Sequence, residues 1–127
     1  MKFLVVDDES DVELLYQQKL RKEIKSGLIK LEFAFSGEQA LDILRNQNPL
    51  EIKYVLSDIN MPGMSGLELL DHIKRDFPYI KVSMVSAYND TENYQYAIQS
   101  GAKEFFVKPI NFSALKEEIF KIIESEN

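Results

Sequence analysis

Apolar residues along this chain follow two alternating rhythms. Short apolar runs come first: Phe3-Leu-Val-Val6, Leu31 to Phe35, Tyr54-Val55-Leu56, Lys81-Val-Ser-Met-Val85 and Phe105-Phe106-Val107. They are rich in β-branched and aromatic residues and have the length of buried strands. Between them, apolar residues recur every three or four positions, the period of a helix. Val12, Leu15, Tyr16, Leu20 and Ile24 predict a first helix, capped by Asp11 and ended at Gly27. Ser36 opens a short second helix reaching Leu44, closed by Asn48-Pro49. Leu67, Leu70, Ile73 and Phe77 predict a third helix, stopped before Pro78. Tyr94, Ala97 and Ile98 predict a fourth, stopped at Gly101. Leu115, Ile119, Ile122 and Ile123 predict a last amphipathic helix.

Five strands, each followed by a helix, imply one parallel sheet covered on both faces. Right-handed crossovers make this a doubly wound (βα)5 topology of the flavodoxin-like kind. No repeat, low-complexity segment or interior linker interrupts it, so residues 1–127 are expected to form a single domain. Ligands of such sheets sit outside the carboxyl ends of the strands.

Composition narrows the setting. The chain has 127 residues, 45% hydrophobic and 28% charged, enough for one full core. It has no cysteine, which excludes disulfides and thiolate metal sites and fits a reducing, cytoplasmic compartment. The apolar run after Met1 is too short for a signal peptide or a membrane span, so no membrane association is expected. A net charge of -6 argues against direct nucleic-acid binding by this domain. The basic run Lys19 to Lys25 is expected to be the wet face of the first helix.

The carboxyl-end rule selects candidate chemistry without a motif search. The first strand ends in Asp7-Asp8, the third in Asp58 with Asn60 beyond, the fourth in Ser86, and the fifth in Lys108-Pro109. Carboxylates this close repel one another unless a cation sits among them. Mg²⁺ suits them, since it seeks oxygen, keeps several waters and often completes its shell with phosphate. With Lys108 and the Ser86 hydroxyl, the set forms a cradle for a phosphoryl group. The group at its centre is a carboxylate, a competent nucleophile toward phosphorus. A calcium loop is excluded at Asp58: Asp58, Asn60 and Gly63 match its first, third and sixth positions, but Pro62 and Leu69 stand where it needs oxygen ligands.

These residues, in this order and spacing, resemble the receiver domain of bacterial two-component response regulators, the CheY-like family. Phe35-Ser36-Gly37-Glu38, Met61-Pro62-Gly63-Met64-Ser65-Gly66 and Ser100-Gly101-Ala102 add to the resemblance, which spans essentially the whole chain. It implies that Asp58 is the phosphoacceptor. It implies that Asp8, Asp58 and the main-chain carbonyl of Asn60 hold Mg²⁺, with Asp7 acting through water. Lys108 would pair with the phosphoryl oxygens, Ser86 would donate to them after activation, and Phe105 would occupy an aromatic switch position. Tyr88 and Asn60 would flank the path of attacking water, and the Lys108–Pro109 bond would be cis. The implied partners are a sensor histidine kinase or phosphotransfer protein. An output domain or a second copy is expected on the face of the fourth helix, fifth strand and fifth helix, including Tyr94, Ile98, Phe105 and Lys116. The implied role is a signalling switch, not an enzyme acting on other substrates, although the domain would catalyse its own phosphorylation and dephosphorylation.

Taken singly, each residue has a plainer reading. Asp7 and Asp8 could cap a helix, Asp58 could start a turn before Pro-Gly, and Lys108 could be a solvated charge. An aspartate-nucleophile phosphohydrolase would place a second acid where Asn60 stands. A flavin carrier would offer amides and hydroxyls, not Asp7-Asp8-Glu9, to a phosphate. A receiver fold that binds partners without phosphorylation would not need the intact acidic set. His72, off the apolar stripe of the third helix, is expected to be a solvated residue.

Overall fold

The computed structural model describes residues 1–47, 51–87 and 90–126. Five strands run β1 (Lys2–Val6), β2 (Lys30–Ala34), β3 (Ile52–Asp58), β4 (Lys81–Ser86) and β5 (Phe105–Val107). Among the described residues the helices are α1 (Asp11–Lys19), α2 (Arg21–Lys25), α3 (Gly37–Asn46), α4 (Gly66–Asp76), α5 (Thr91–Gln99) and α6 (Phe112–Glu126). The strands form one parallel sheet in the order β2-β1-β3-β4-β5, the flavodoxin-like order.

Alternation along the strands divides the core in two. On one face Leu4, Val6, Val55, Val82 and Met84 pack against α3, α4 and α5. On the other, Phe3, Val5, Tyr54, Leu56 and Val85 pack against α1, α2 and α6. Because both faces are covered, β1 and the middle of β3 carry apolar residues on both sides, while β4 interrupts its apolar run with the buried Ser83. Phe3 and Tyr54 stack across β1 and β3 with ring centroids 5.4 Å apart. No helix among the described residues is long and apolar enough to cross a membrane.

The first expected helix is in two pieces. Leu20 leaves helical geometry at φ -106 and ψ 19, yet its carbonyl still accepts from the Ile24 N–H at 3.0 Å. Leu20 is fully buried, so the chain bends at a residue the core holds fast. Asp11 does not cap this helix. It is the first helical residue, and Ser10 stands at the cap without a side-chain bond. Gly27 does follow the end of α2, at φ +80, with its N–H bonded to the Ile24 carbonyl. The expected stop at Asn48-Pro49 lies outside the described residues. Tyr94 and Ile98 are exposed on α5, and only Ala97 of that triplet reaches the core.

Candidate functional site

Between β1 and β3 the strand order reverses, because the chain runs outward from β1 to β2 and then crosses back to β3. The carboxyl ends of these two central strands therefore open a crevice. Ladder-like bonds continue past the strand ends and hold the loops there. The Asp7 N–H bonds the Ala34 carbonyl at 3.1 Å, the Ile59 N–H the Val85 carbonyl at 2.9 Å, and the Lys108 N–H the Ser86 carbonyl at 2.8 Å.

Asp7 and Asp58 point into this crevice, each 6% exposed. Lys108 reaches in from the end of β5. Its Nζ donates to Asp58 Oδ2 at 3.1 Å and to Asp7 Oδ2 at 3.2 Å. The other Asp7 oxygen, Oδ1, accepts the Glu9 N–H at 2.9 Å. Asp8 is exposed at the rim, yet oxygens of Asp7, Asp8 and Asp58 all lie within 4.8 Å of one another. Ser86 is fully buried at the end of β4. Asn60 is exposed, and its backbone N–H bonds the Asp58 carboxylate. The Lys108–Pro109 bond is cis.

Electrostatics follow from this packing. Burial raises the pKa of Asp58 above the ordinary carboxylate value; Lys108 and the Asn60 N–H pull it back only in part, and the charge of Asp7 adds to the rise. Burial opposes the charge on Lys108, but its bond to Asp58 and the charges of Asp58 and Asp7 outweigh that and raise its pKa. Tyr16 borders the same crevice. Burial, with the charges of Asp7 and Asp58, pushes its phenol far up, so it stays neutral. Three carboxylates face one ammonium, an excess of two negative charges that a single divalent ion matches. The donors are all oxygen and part of the cluster faces solvent, which suits Mg²⁺ with its retained waters.

The loop after Asp58 is fixed by two contacts that sequence patterns do not show. Gly66 opens α4 directly against the end of β3: a Cβ there would lie 2.0 Å from the Asp58 carbonyl oxygen. Glu38, at the start of α3, accepts the Met64 N–H at 2.9 Å and so clamps the loop from 26 residues away. Gly37 and Glu38 fall in a stretch that supported the family resemblance, but nothing in their spacing announces a clamp.

Among the remaining expected residues, Phe105 is half-buried, and its ring meets Tyr94 edge-on at 5.6 Å. Lys116 does not belong to that face. Its ammonium pairs with Glu23 of α2 at 3.5 Å, placing it on the opposite side of α6. Tyr88 lies outside the described residues. His72 is half-buried, and its Nδ1 meets Arg75 at 2.8 Å within its own helix. Beside Asp7 and Lys108 a cavity of about 770 Å³ opens, with Val12, Leu15, Tyr16, Ile110 and Phe112 on its walls.

Comparison with known proteins agrees with this architecture. Residues 3–120 match the family described as the response regulator receiver domain. Chemotaxis protein CheY-3 of Vibrio cholerae is 34% identical over 126 residues, covering 98% of this chain and 92% of that protein. A cyclic di-GMP phosphodiesterase of Thermotoga maritima is also 34% identical, but the match covers only 30% of its length. A receiver domain protein from Clostridium thermocellum superposes with a TM-score of 0.86 at 29% identity, covering 98% of this chain and 95% of that one. The response regulator TrrA of Thermotoga maritima, solved in complex with Mg²⁺ and BeF, superposes with a TM-score of 0.79 at 32% identity, covering 95% of this chain and 97% of that one. The chain therefore belongs to the response regulator receiver domain family, as a CheY-like receiver of two-component signalling, a class whose role is to take a phosphoryl group on an aspartate.

Proposed function

We propose that Asp58 is the phosphoacceptor of a single receiver domain spanning residues 1–127. The observation that carries this is the Lys108 ammonium bonded to both Asp58 and Asp7 within a cluster of three carboxylates. Asp8, Asp58 and the Asn60 carbonyl would hold Mg²⁺, and Asp7, already bonded through both oxygens, would act through water. When bound, the ion offsets the excess negative charge and the charge of an incoming phosphoryl group. An Asp58 carboxylate oxygen attacks phosphorus, the bond from phosphorus to the donor nitrogen breaks, and the electron pair leaves with the donor imidazole. Lys108 turns from the carboxylates toward the new phosphoryl oxygens. The domain thus catalyses its own phosphorylation. Its dephosphorylation by water is tuned by the side chains at Asn60 and Tyr88.

The donor would be a histidine kinase or phosphotransfer protein in the cytoplasm. The apolar cavity beside Asp7 and Lys108 supports docking of such a protein, because it opens next to the nucleophile. Ser86 would shift its hydroxyl to the phosphoryl group, freeing space for Phe105 to turn inward and remodel the α5–β5–α6 face for an output domain or a second copy. Incubation with Mg²⁺ and acetyl phosphate tests the chemistry. The expected product gains about 80 Da, the mass of one phosphoryl group, and loses it to hydroxylamine. Asp58→Asn taking up the same labile group would defeat the assignment.

A further inference from the structure

We propose that a basic pocket at the opposite end of the sheet docks an acidic, leucine-bearing segment of a partner protein. The pocket, about 530 Å³, lies where α1 and α2 meet the start of β2. Arg21, Lys25 and Lys30 stand around it over a floor of Ile24, Ile29 and Leu31, and no acidic side chain lines it. All three cations are exposed. Elsewhere in this acidic chain several basic groups are engaged: Lys2 with Glu32 and Glu51, Arg75 with Asp76, Lys103 with Glu118, Lys108 with Asp7 and Asp58, Lys116 with Glu23. Arg21, Lys25 and Lys30 make no ion pair among the described residues, and neither do their neighbours Lys19 and Lys22. Three exposed cations without an ion pair therefore surround one pocket of a molecule whose net charge is -6.

The shape and chemistry of the pocket select the occupant. A free phosphate ion would leave the apolar floor uncovered. A bilayer is flat and, if anionic, is repelled by the rest of the surface. No aromatic side chain lines the pocket to stack a nucleobase. A peptide can put carboxylates on the Arg21 fork and on Lys25 and Lys30 while an apolar side chain covers Ile24, Ile29 and Leu31. Among the described residues β2 is an edge strand that pairs with β1 alone, so an extended segment has backbone groups to pair with alongside. Lys30 pairs in register with Lys2 at the amino end of the strands, whereas Asp58 lies at the carboxyl end. The separation, on the order of 15 Å along the strands, lets a partner stay tethered while the phosphoryl site is used.

The test uses the whole unphosphorylated chain and a capped octapeptide of glutamate pairs separated by leucine. Amide shifts on titration are expected to centre on Arg21, Gly27 and Lys30. The triple variant Arg21→Glu, Lys25→Glu, Lys30→Glu is expected to bind roughly tenfold or more weakly, as is a glutamine version of the peptide. If the triple variant does not keep the native circular dichroism, the single neutral variants Arg21→Gln and Lys30→Gln take its place and are expected to weaken binding several-fold. Equal binding by the variants, or shifts elsewhere, overturns the proposal. So does equal occupation of the same residues by inorganic phosphate or by phosphatidylglycerol vesicles. Self-association in sedimentation that the variants abolish would also overturn it, by naming a second copy as the occupant. Asp58→Asn is expected to bind the peptide as the wild type does, so failure here is separable from failure of the phosphoacceptor assignment.

Discussion

Asp58 and Asp7 are buried side by side, with Lys108 the positive group bonded between them. Two nearly buried carboxylates sharing one ammonium cost stability, since like charges in a weakly screened site repel. Asp58→Asn is therefore expected to raise the melting temperature of the metal-free protein by a few degrees, on the order of 1 kcal/mol, while abolishing phosphorylation. Calorimetry without Mg²⁺ checks it, and a lower melting temperature would contradict the electrostatic account. Asp8 differs from Asp7 in what it already touches. Asp7 spends one oxygen on the Glu9 N–H and the other on Lys108, whereas Asp8 faces solvent. Asp8→Asn is expected to weaken Mg²⁺ binding roughly tenfold or more, because a site with few protein ligands depends on each carboxylate. Titration calorimetry reads this directly, and unchanged affinity would move the ion elsewhere. At this scale much was legible in the sequence: an acid directly after an apolar run marks a strand end. Which of two adjacent acids turns inward was not, since that depends on the β1 pleat and on Lys108, 101 residues away.

Strands and most helices follow from local pattern, and their errors have local causes. The continuous stripe from Val12 to Ile24 hid the break at Leu20, because a helix that bends around a buried leucine keeps its apolar period. The α5 pattern marked a helix that is present, and Tyr94 and Ile98 face outward on the side where a partner was expected, with Tyr94 edge-on to Phe105. How α4 starts is the element-level feature with most effect on the site. Ser65 and Glu68 form a capping box, and Gly66 between them lies against the Asp58 carbonyl. Gly66→Ala would force backbone apart, since both contacting partners are main chain. It is expected to cost about 3 kcal/mol or more and to cut phosphorylation sharply, measured by urea unfolding and by mass gain with acetyl phosphate. Glu38→Gln keeps an acceptor for the Met64 N–H, whereas Glu38→Ala leaves none. The alanine variant is expected to lose about 1 kcal/mol and to speed hydrogen exchange at Met64, with the glutamine variant close to wild type.

Across the whole molecule, the proposed phosphoryl site and the α5–β5–α6 face are joined through β4 and β5. Ser86 and Met84 pair with Val107 and Phe105, so a shift at Ser86 acts on the strand that carries the aromatic ring. With beryllofluoride and Mg²⁺, amide shifts are expected at Tyr94, Ile98 and Phe105 as well as around Asp58. Ser86→Ala should keep the Asp58 shifts and suppress the distant ones, at a coupling of about 1–3 kcal/mol. A silent α5 face in the wild type would refute the switch while leaving the chemistry intact.

The site also has an order of assembly. Asp7 and Asp58 lie on neighbouring central strands, but the lysine that holds them together arrives with β5, 50 residues after Asp58. During synthesis, a chain emerging from the ribosome presents both acids long before it can present Lys108. Until β5 docks on β4, those acids face each other without their counter-charge. On the proposed roles of Asp58 and Lys108, nascent and half-folded chains are expected to lack the competence to take phosphate until β5 has docked.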